Sequence, residues 1–156
     1  MHIRLIWPGR TRSAPIRSMV ADYRERVARL TACSVVELPD LSRKRGLRGP
    51  ELRAAEAGLI QESLSPDARL AVLDGGGREL SSEEFAAWFG REMNRGARQI
   101  DFVIGGPEGL DNALVRRADL RLSLGRMTWT HEMCRVLLLE QIYRAHCILK
   151  RIPYHK

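Results

Sequence analysis

Short apolar runs alternate along this chain with longer stretches of helical period. Residues 2–7, 34–38, 69–73, 100–104 and 120–124 are compact apolar runs bounded by polar or turn residues, which predicts five strands. Residues 14–30, 50–62, 81–94 and 112–118 read as helices between them, and His131–Leu149 as a final one. Ser81 with Glu84 three residues on has the form of a capping box, and Pro50 suits the first turn of its helix. The alternation predicts an α/β fold, a mostly parallel sheet flanked by helices. No repeat or linker divides the sequence, so a single domain over residues 1–156 is expected.

The last predicted helix is apolar in most directions. Met133, Val136, Leu137, Leu138, Leu139, Ile142 and Tyr143 leave only a narrow polar stripe at Glu132, Arg135, Glu140 and Arg144. Such a helix needs two surfaces to bury against. Either one of them is a second subunit, which makes a homodimer, or the helix is central to the core of one chain.

Composition narrows the function classes. The 156 residues are 44% hydrophobic, enough for a sizeable core and against disorder as the main state. No apolar run approaches the length of a membrane span and the first residues lack a secretory signal, so a cytoplasmic protein without a membrane role is expected. Cys33, Cys134 and Cys147 lie far apart, against a disulfide framework or a zinc ribbon, and read as small buried apolar residues. His2, His131, His146 and His155 show no metal-ligand spacing, so no metal is expected. A net charge of +7 admits a polyanionic partner, and equally a set of solvated faces.

Three loops at consecutive strand ends carry the candidate chemistry. Asp74-Gly75-Gly76-Gly77 follows Leu73, Gly105-Gly106-Pro107-Glu108-Gly109 follows Ile104, and Ser123 to Thr128 follows Leu122. Ligands of open α/β sheets bind outside the carboxyl ends of strands, and glycine lets backbone approach a ligand closely. One glycine loop alone would be read as a tight turn; three together point to a binding site. There is no G-x-x-x-x-G-K-[ST], no G-x-G-x-x-G after the first strand and no G-x-S-x-G, which disfavours ATP, NAD and a serine hydrolase.

The run Ile104-Gly105-Gly106-Pro107-Glu108-Gly109-Leu110, then Leu122 to Thr128, His131, Arg135, Glu140 to Ala145 and Pro153-Tyr154-His155, resembles the bacterial 23S ribosomal RNA methyltransferases that modify N3 of a pseudouridine, members of the trefoil-knotted SPOUT methyltransferases. The resemblance covers the whole chain, including the Leu73-Asp74 turn and the basic segment Arg43-Lys44-Arg45-Gly46.

The resemblance implies a carboxyl-terminal trefoil knot and S-adenosylmethionine as cofactor. It assigns cofactor contacts to Leu73, Gly105, Gly106, Leu124, Gly125, Arg126, Met127, Thr128 and Trp129. Asp74 either offsets the cofactor's charge or hydrogen-bonds a ribose hydroxyl, or it merely ends a strand. The resemblance also places the carboxyl-terminal tail beside the cofactor, with Arg144, Tyr154 and His155 as catalytic candidates. His155 would accept a proton, Tyr154 would stack on an unpaired base, and Arg144 would stabilise the developing imidate. For Arg144 an ion pair with Glu140 at i, i+4 spacing competes with that role, and His131 reads more naturally as shaping its loop. Segment 43–49 is the expected phosphate contact, and the implied partner is 23S ribosomal RNA in the large subunit or the 70S ribosome. A non-catalytic RNA-binding module and a transfer-RNA methyltransferase are the competing readings, the first disfavoured by the glycine loops and the second by the Tyr154-His155 tail.

Overall fold

A computed structural model describes residues 1–154. Five strands, β1 (His2–Pro8), β2 (Ala32–Leu38), β3 (Arg69–Glu79), β4 (Gln99–Val103) and β5 (Leu120–Ser123), form one all-parallel sheet in the order β2-β1-β4-β3-β5. The helices are α1 (Ala14–Ala28), α2 (Leu41–Lys44), α3 (Gly49–Ser63), α4 (Ser82–Asn94), α5 (Asn112–Arg117) and α6 (His131–Leu149).

Strand alternation splits the core into two layers. Ile3, Leu5 and Trp7 of β1 and Ile100 and Phe102 of β4 pack with Phe85, Trp88 and Phe89 of α4 and with the inner side of α6. Ile6, Val72 and Val103 point the other way, onto Ile60 of α3 and Leu114 of α5. The expected sheet, buried on both faces, is therefore present. The capping box at Ser81 forms, with Glu84 N–H donating to the Ser81 hydroxyl and Ser81 N–H to the Glu84 carboxylate.

Two segments differ from the sequence expectation. Segment 43–49, expected as a flexible basic loop, begins inside α2, whose N-cap Asp40 accepts from Arg43 N–H at 3.2 Å. Arg48 then ties back to the Ser42 and Leu47 carbonyls. The run 74–77, expected as a loop, lies within β3, which continues to Glu79 after a register shift against β5 between Leu73 and Arg78. A Cβ on Gly77 would stand 2.7 Å from the Arg121 carbonyl carbon, so this glycine serves strand packing rather than a ligand.

Helix α6 is also more deeply embedded than its pattern suggested. Leu138, Leu139, Ile142 and Ala145 are fully buried between the sheet, α1 and α4, so one chain accounts for most of its apolar breadth. Arg135, expected on the polar stripe, is 1% exposed. Of the cysteines, all free, Cys147 is buried and Cys33 and Cys134 are half-buried. Among the described residues no helix is long and apolar enough to cross a membrane, and no group of side chains could hold a metal ion.

Candidate active site

Because the sheet is parallel, the loops after β4 and β5 leave from the same edge, beside the irregular stretch of β3 that begins at Leu73. Together with the start of α6 they enclose a cavity of about 620 Å3. Leu73, Gly105, Gly106, Leu124, Gly125, Arg126, Met127, Thr128 and Trp129 all line it, as do Asp74, His131 and Cys134. The third loop is held by Ser123, whose hydroxyl accepts from Gly125 N–H at 3.2 Å and donates to its carbonyl at 3.1 Å. Thr130 caps α6 by accepting from Met133 N–H. Between these anchors Met127 and Trp129 stand 76% and 41% exposed, large apolar surfaces at the cavity rim.

Gly106 is fixed by the protein itself. A Cβ there would fall 2.9 Å from a carboxylate oxygen of Glu56 and 3.3 Å from Pro8, while its backbone has no positive φ. Asp74 is engaged by Arg121, whose Nη2 donates to it at 2.6 Å. His131 is half-buried; burial and then the Arg135 charge hold its pKa below the ordinary value, so it is neutral near pH 7.

Behind the cavity, the first two turns of α6 tie down the segment after β1. The Glu132 carboxylate accepts from Arg12 N–H at 2.6 Å and Ser13 N–H at 3.2 Å. Burial opposes its charge, but these backbone donors hold its pKa below the usual range. Arg135 donates to the Thr11 hydroxyl at 2.7 Å and the Pro8 carbonyl at 3.1 Å, and its guanidinium lies 4.8 Å from the Trp7 ring centre. Burial lowers its pKa, and no carboxylate among the described residues forms an ion pair with it.

The tail residues gather elsewhere. Arg144 pairs with Glu140 at 2.5 Å, the Tyr154 hydroxyl donates to the same Glu140 oxygen at 3.1 Å, and the Arg144 guanidinium stacks 4.8 Å over the Tyr154 ring. Burial, followed by hydrogen bonds with Tyr23 and Glu140, pushes the Tyr154 phenol above its ordinary pKa. Neither Arg144 nor Tyr154 lines the cavity. At about 1.5 Å per residue, Arg144 lies roughly 20 Å along α6 from His131. His155 lies outside the described residues.

Sequence reading missed Glu56 and the depth of Arg135. Glu56 stands at i, i+4 spacing between Leu52 and Ile60, all three buried, and a lone acid inside an apolar stripe was the available signal.

Comparison with known proteins agrees with this architecture. A family model described as "Predicted SPOUT methyltransferase" matches residues 1–155. A ribosomal RNA large subunit methyltransferase H of Cereibacter sphaeroides is 45% identical, over 100% of this chain and 99% of the relative. The protein of that name from Brucella anthropi is 40% identical over the same shares of the two chains. A solved structure of a probable methyltransferase from Bordetella pertussis superposes with a TM-score of 0.56 at 18% identity, over 93% of this chain and 96% of that one, a likeness of fold. The chain thus belongs to the SPOUT methyltransferases, among the relatives named ribosomal RNA large subunit methyltransferase H.

Proposed function

We propose that this chain, as one SPOUT-type domain over residues 1–156 with the knotted carboxyl-terminal segment the family implies, methylates N3 of a pseudouridine in 23S ribosomal RNA. The observation carrying this reading is the cavity built by the loops after β4 and β5, the irregular middle of β3 and the start of α6, in a chain related over its full length to large-subunit ribosomal RNA methyltransferases.

The cavity fits S-adenosylmethionine. Its size suits a nucleoside cofactor, its walls combine glycine backbone and apolar side chains with a few polar and charged ones, and a cationic sulfonium needs no phosphate cradle. Bound there, S-adenosylmethionine supplies an electrophilic methyl group. Leu73, Gly105, Gly106 and the 124–129 loop hold it, Met127 and Trp129 cover apolar surface at the rim, and neutral His131 adds no charge of its own to the wall.

The remaining work is positioning the target base and removing its imide proton. Arg144 and Tyr154 stand at the far end of α6 from their own chain's cavity, which favours a homodimer in which one subunit's tail, with Arg144, Tyr154 and His155 as its catalytic candidates, serves its partner's cavity. The exposed Met127 and Trp129 rims supply apolar surface for that contact. The substrate is the large subunit or 70S ribosome in the cytoplasm, with segment 43–49 contacting phosphates and no membrane or metal involved. Mass spectrometry of 23S ribosomal RNA from cells lacking the protein, with and without the restored chain, tests the reading: one methyl group should vanish and return. RNA unchanged by deletion overturns it.

A further inference from the structure

A second hollow of about 220 Å3 adjoins the cavity and shares Pro107 and His131 with it. Glu56 of α3 lines this crevice. The side chain is 95% buried by the complement of its 5% exposure, and one carboxylate oxygen is sealed with no hydrogen-bond partner. That oxygen lies close behind Gly106, where a Cβ would approach it to 2.9 Å. An apolar residue in register with Leu52 and Ile60 would bury there without cost, whereas a donorless carboxylate is unfavourable until a donor arrives. Arg135 Nε, on another wall of the same crevice, is likewise buried without an acceptor.

The mouth of the crevice is basic. Arg10, Arg12 and Asp40 are shared with a broader groove that also contains Arg17 and Arg43. Arg12 pairs with Asp40, while Arg10 and Arg43 make no ion pair among the described residues. Anion at the mouth and hydrogen-bond donor at the base describe a nucleotide whose ring carries an N–H. A carboxylate discriminates there: an imide N3–H donates to it, whereas the unprotonated N3 of a cytosine repels it.

We propose that this crevice is the target-nucleotide subsite, in which Arg10 and Arg43 take the RNA phosphates and Glu56 receives the imide N3–H of the extruded pyrimidine and accepts its proton. In that step the N3–H bond breaks, the proton bonds to a Glu56 carboxylate oxygen, and the electron pair stays on N3 as the nucleophile for methyl transfer. The inference rests on the methyltransferase reading above. Burial, then the carboxylates of Asp40 on the α2 side and Glu108 in the loop after β4, push the Glu56 carboxyl up to about 7, suiting proton exchange at neutral pH. The other charged groups around the crevice are Arg10, Arg12, Glu132 and Arg135, with His131 neutral beside them.

The test uses the full chain, Glu56→Gln, Glu56→Asp and the Arg10→Ala, Arg43→Ala double variant, with large ribosomal subunits lacking the methyl group as substrate. Calorimetry with S-adenosylmethionine and thermal melting check that each variant is loaded and folded. Glu56→Gln should keep cofactor affinity, lose about 100-fold or more in kcat, and lose the limb of the pH profile near neutrality. Glu56→Asp should recover part of that rate. The double arginine variant should raise KM and flatten its salt dependence at unchanged kcat. Side-chain carboxyl NMR of the free protein should show one glutamate titrating near neutrality that is missing in Glu56→Gln. Wild-type kcat and pH profile in Glu56→Gln, or a Glu56 signal titrating in the ordinary carboxylate range, overturns the subsite while the methyltransferase reading stands. Failure of the wild-type chain to methylate any ribosomal particle strikes the reading itself.

Discussion

Around the His131 end of α6 two charged groups, Arg135 and Glu56, are buried and incompletely satisfied. Arg135 Nε and a Glu56 oxygen have no partner, and Met127 and Trp129 are bare at the rim. At the Lys150 end the charged groups satisfy one another. Glu140 alone takes hydrogen bonds from Arg144 and Tyr154, and the guanidinium lies over the phenol. Buried polar atoms in native proteins are nearly always paired, so the first end has the character of a site awaiting a ligand and the second that of a preorganised tool. The geometry separates these two ends within one chain by most of a helix.

Removing the tool should have the largest effect. Deleting residues 153–156 removes Tyr154 from Glu140 and from the Arg144 stack, yet Tyr154 is only half-buried and outside both core layers. Cofactor affinity and fold should survive while kcat falls about 1000-fold, the scale of lost positioning. Single-turnover methylation and calorimetry on the same preparation measure both. Loss of cofactor binding as well would move the tail into the cavity's wall and erase the contrast between the ends.

Perturbing the site's wall comes next. Gly106→Val must push against Glu56 and Pro8, so cofactor affinity should drop about 100-fold with the chain still folded. Gly106→Ala should lose less, and Glu56→Ala should restore part of that loss, because the two residues compete for one space. Calorimetry on the four members of this cycle reads the coupling, and simple additivity would show that the wall is not where Gly106 acts.

Stability separates the two ends in the opposite sense. Arg135→Ala leaves the Pro8 carbonyl and the Thr11 hydroxyl without their donor and uncovers the Trp7 ring, so it should cost about 3 kcal/mol. Arg144→Ala removes a partly exposed i, i+4 pair and should cost under about 1 kcal/mol. Chemical denaturation of the two variants compares them directly; equal losses would contradict the buried character of the His131 end.

These contrasts mark how far the sequence was legible. Each of the five strands was visible because a sheet buried on both faces needs continuous apolar runs, and the Ser81 box because a cap is local. The loops after Ile104 and Leu122 could be read as a site because a parallel sheet delivers their strand ends to one edge, whereas the run 74–77 is strand and reaches the cavity only through Asp74 and Gly75. Arg135 was misplaced because helical period alone put it on a polar stripe, whereas its partners Pro8 and Thr11 come from the other end of the chain. The four-residue α2 carries too little period to be read, and the strand through Gly77 is defined only by its neighbour β5. The Glu140–Arg144 pair was legible from its spacing, but the return of Tyr154 onto it depends on the turn after α6.

The most gradual expected effect is a pH dependence that sets Glu56 against two histidines. The Glu56 carboxyl, raised from 4.5 to about 7, binds more protons folded than unfolded across that window. Its contribution is therefore fully present below about pH 4.5 and lost as pH rises through about 7. His131 and His146 act in the other sense: burial lowers both from 6.5, so the stability they contribute is present above about 6.5 and lost as pH falls below it through their lower folded values. His146 is buried at 3% exposure, with its Nδ1 2.8 Å from the Ile142 carbonyl. In the wild type these slopes oppose each other between about pH 5 and 6.5, leaving a shallow profile. Glu56→Gln removes one of them. Relative to wild type it should gain stability steadily from pH 5 to 7 and then level off, by about 3 kcal/mol at most, or roughly 5 to 10 °C in melting temperature. Thermal melts of the two proteins across this range measure the difference; parallel profiles would mean that Glu56 is ionised and solvated in the free protein, and that the two ends of α6 differ less than their hydrogen bonds suggest.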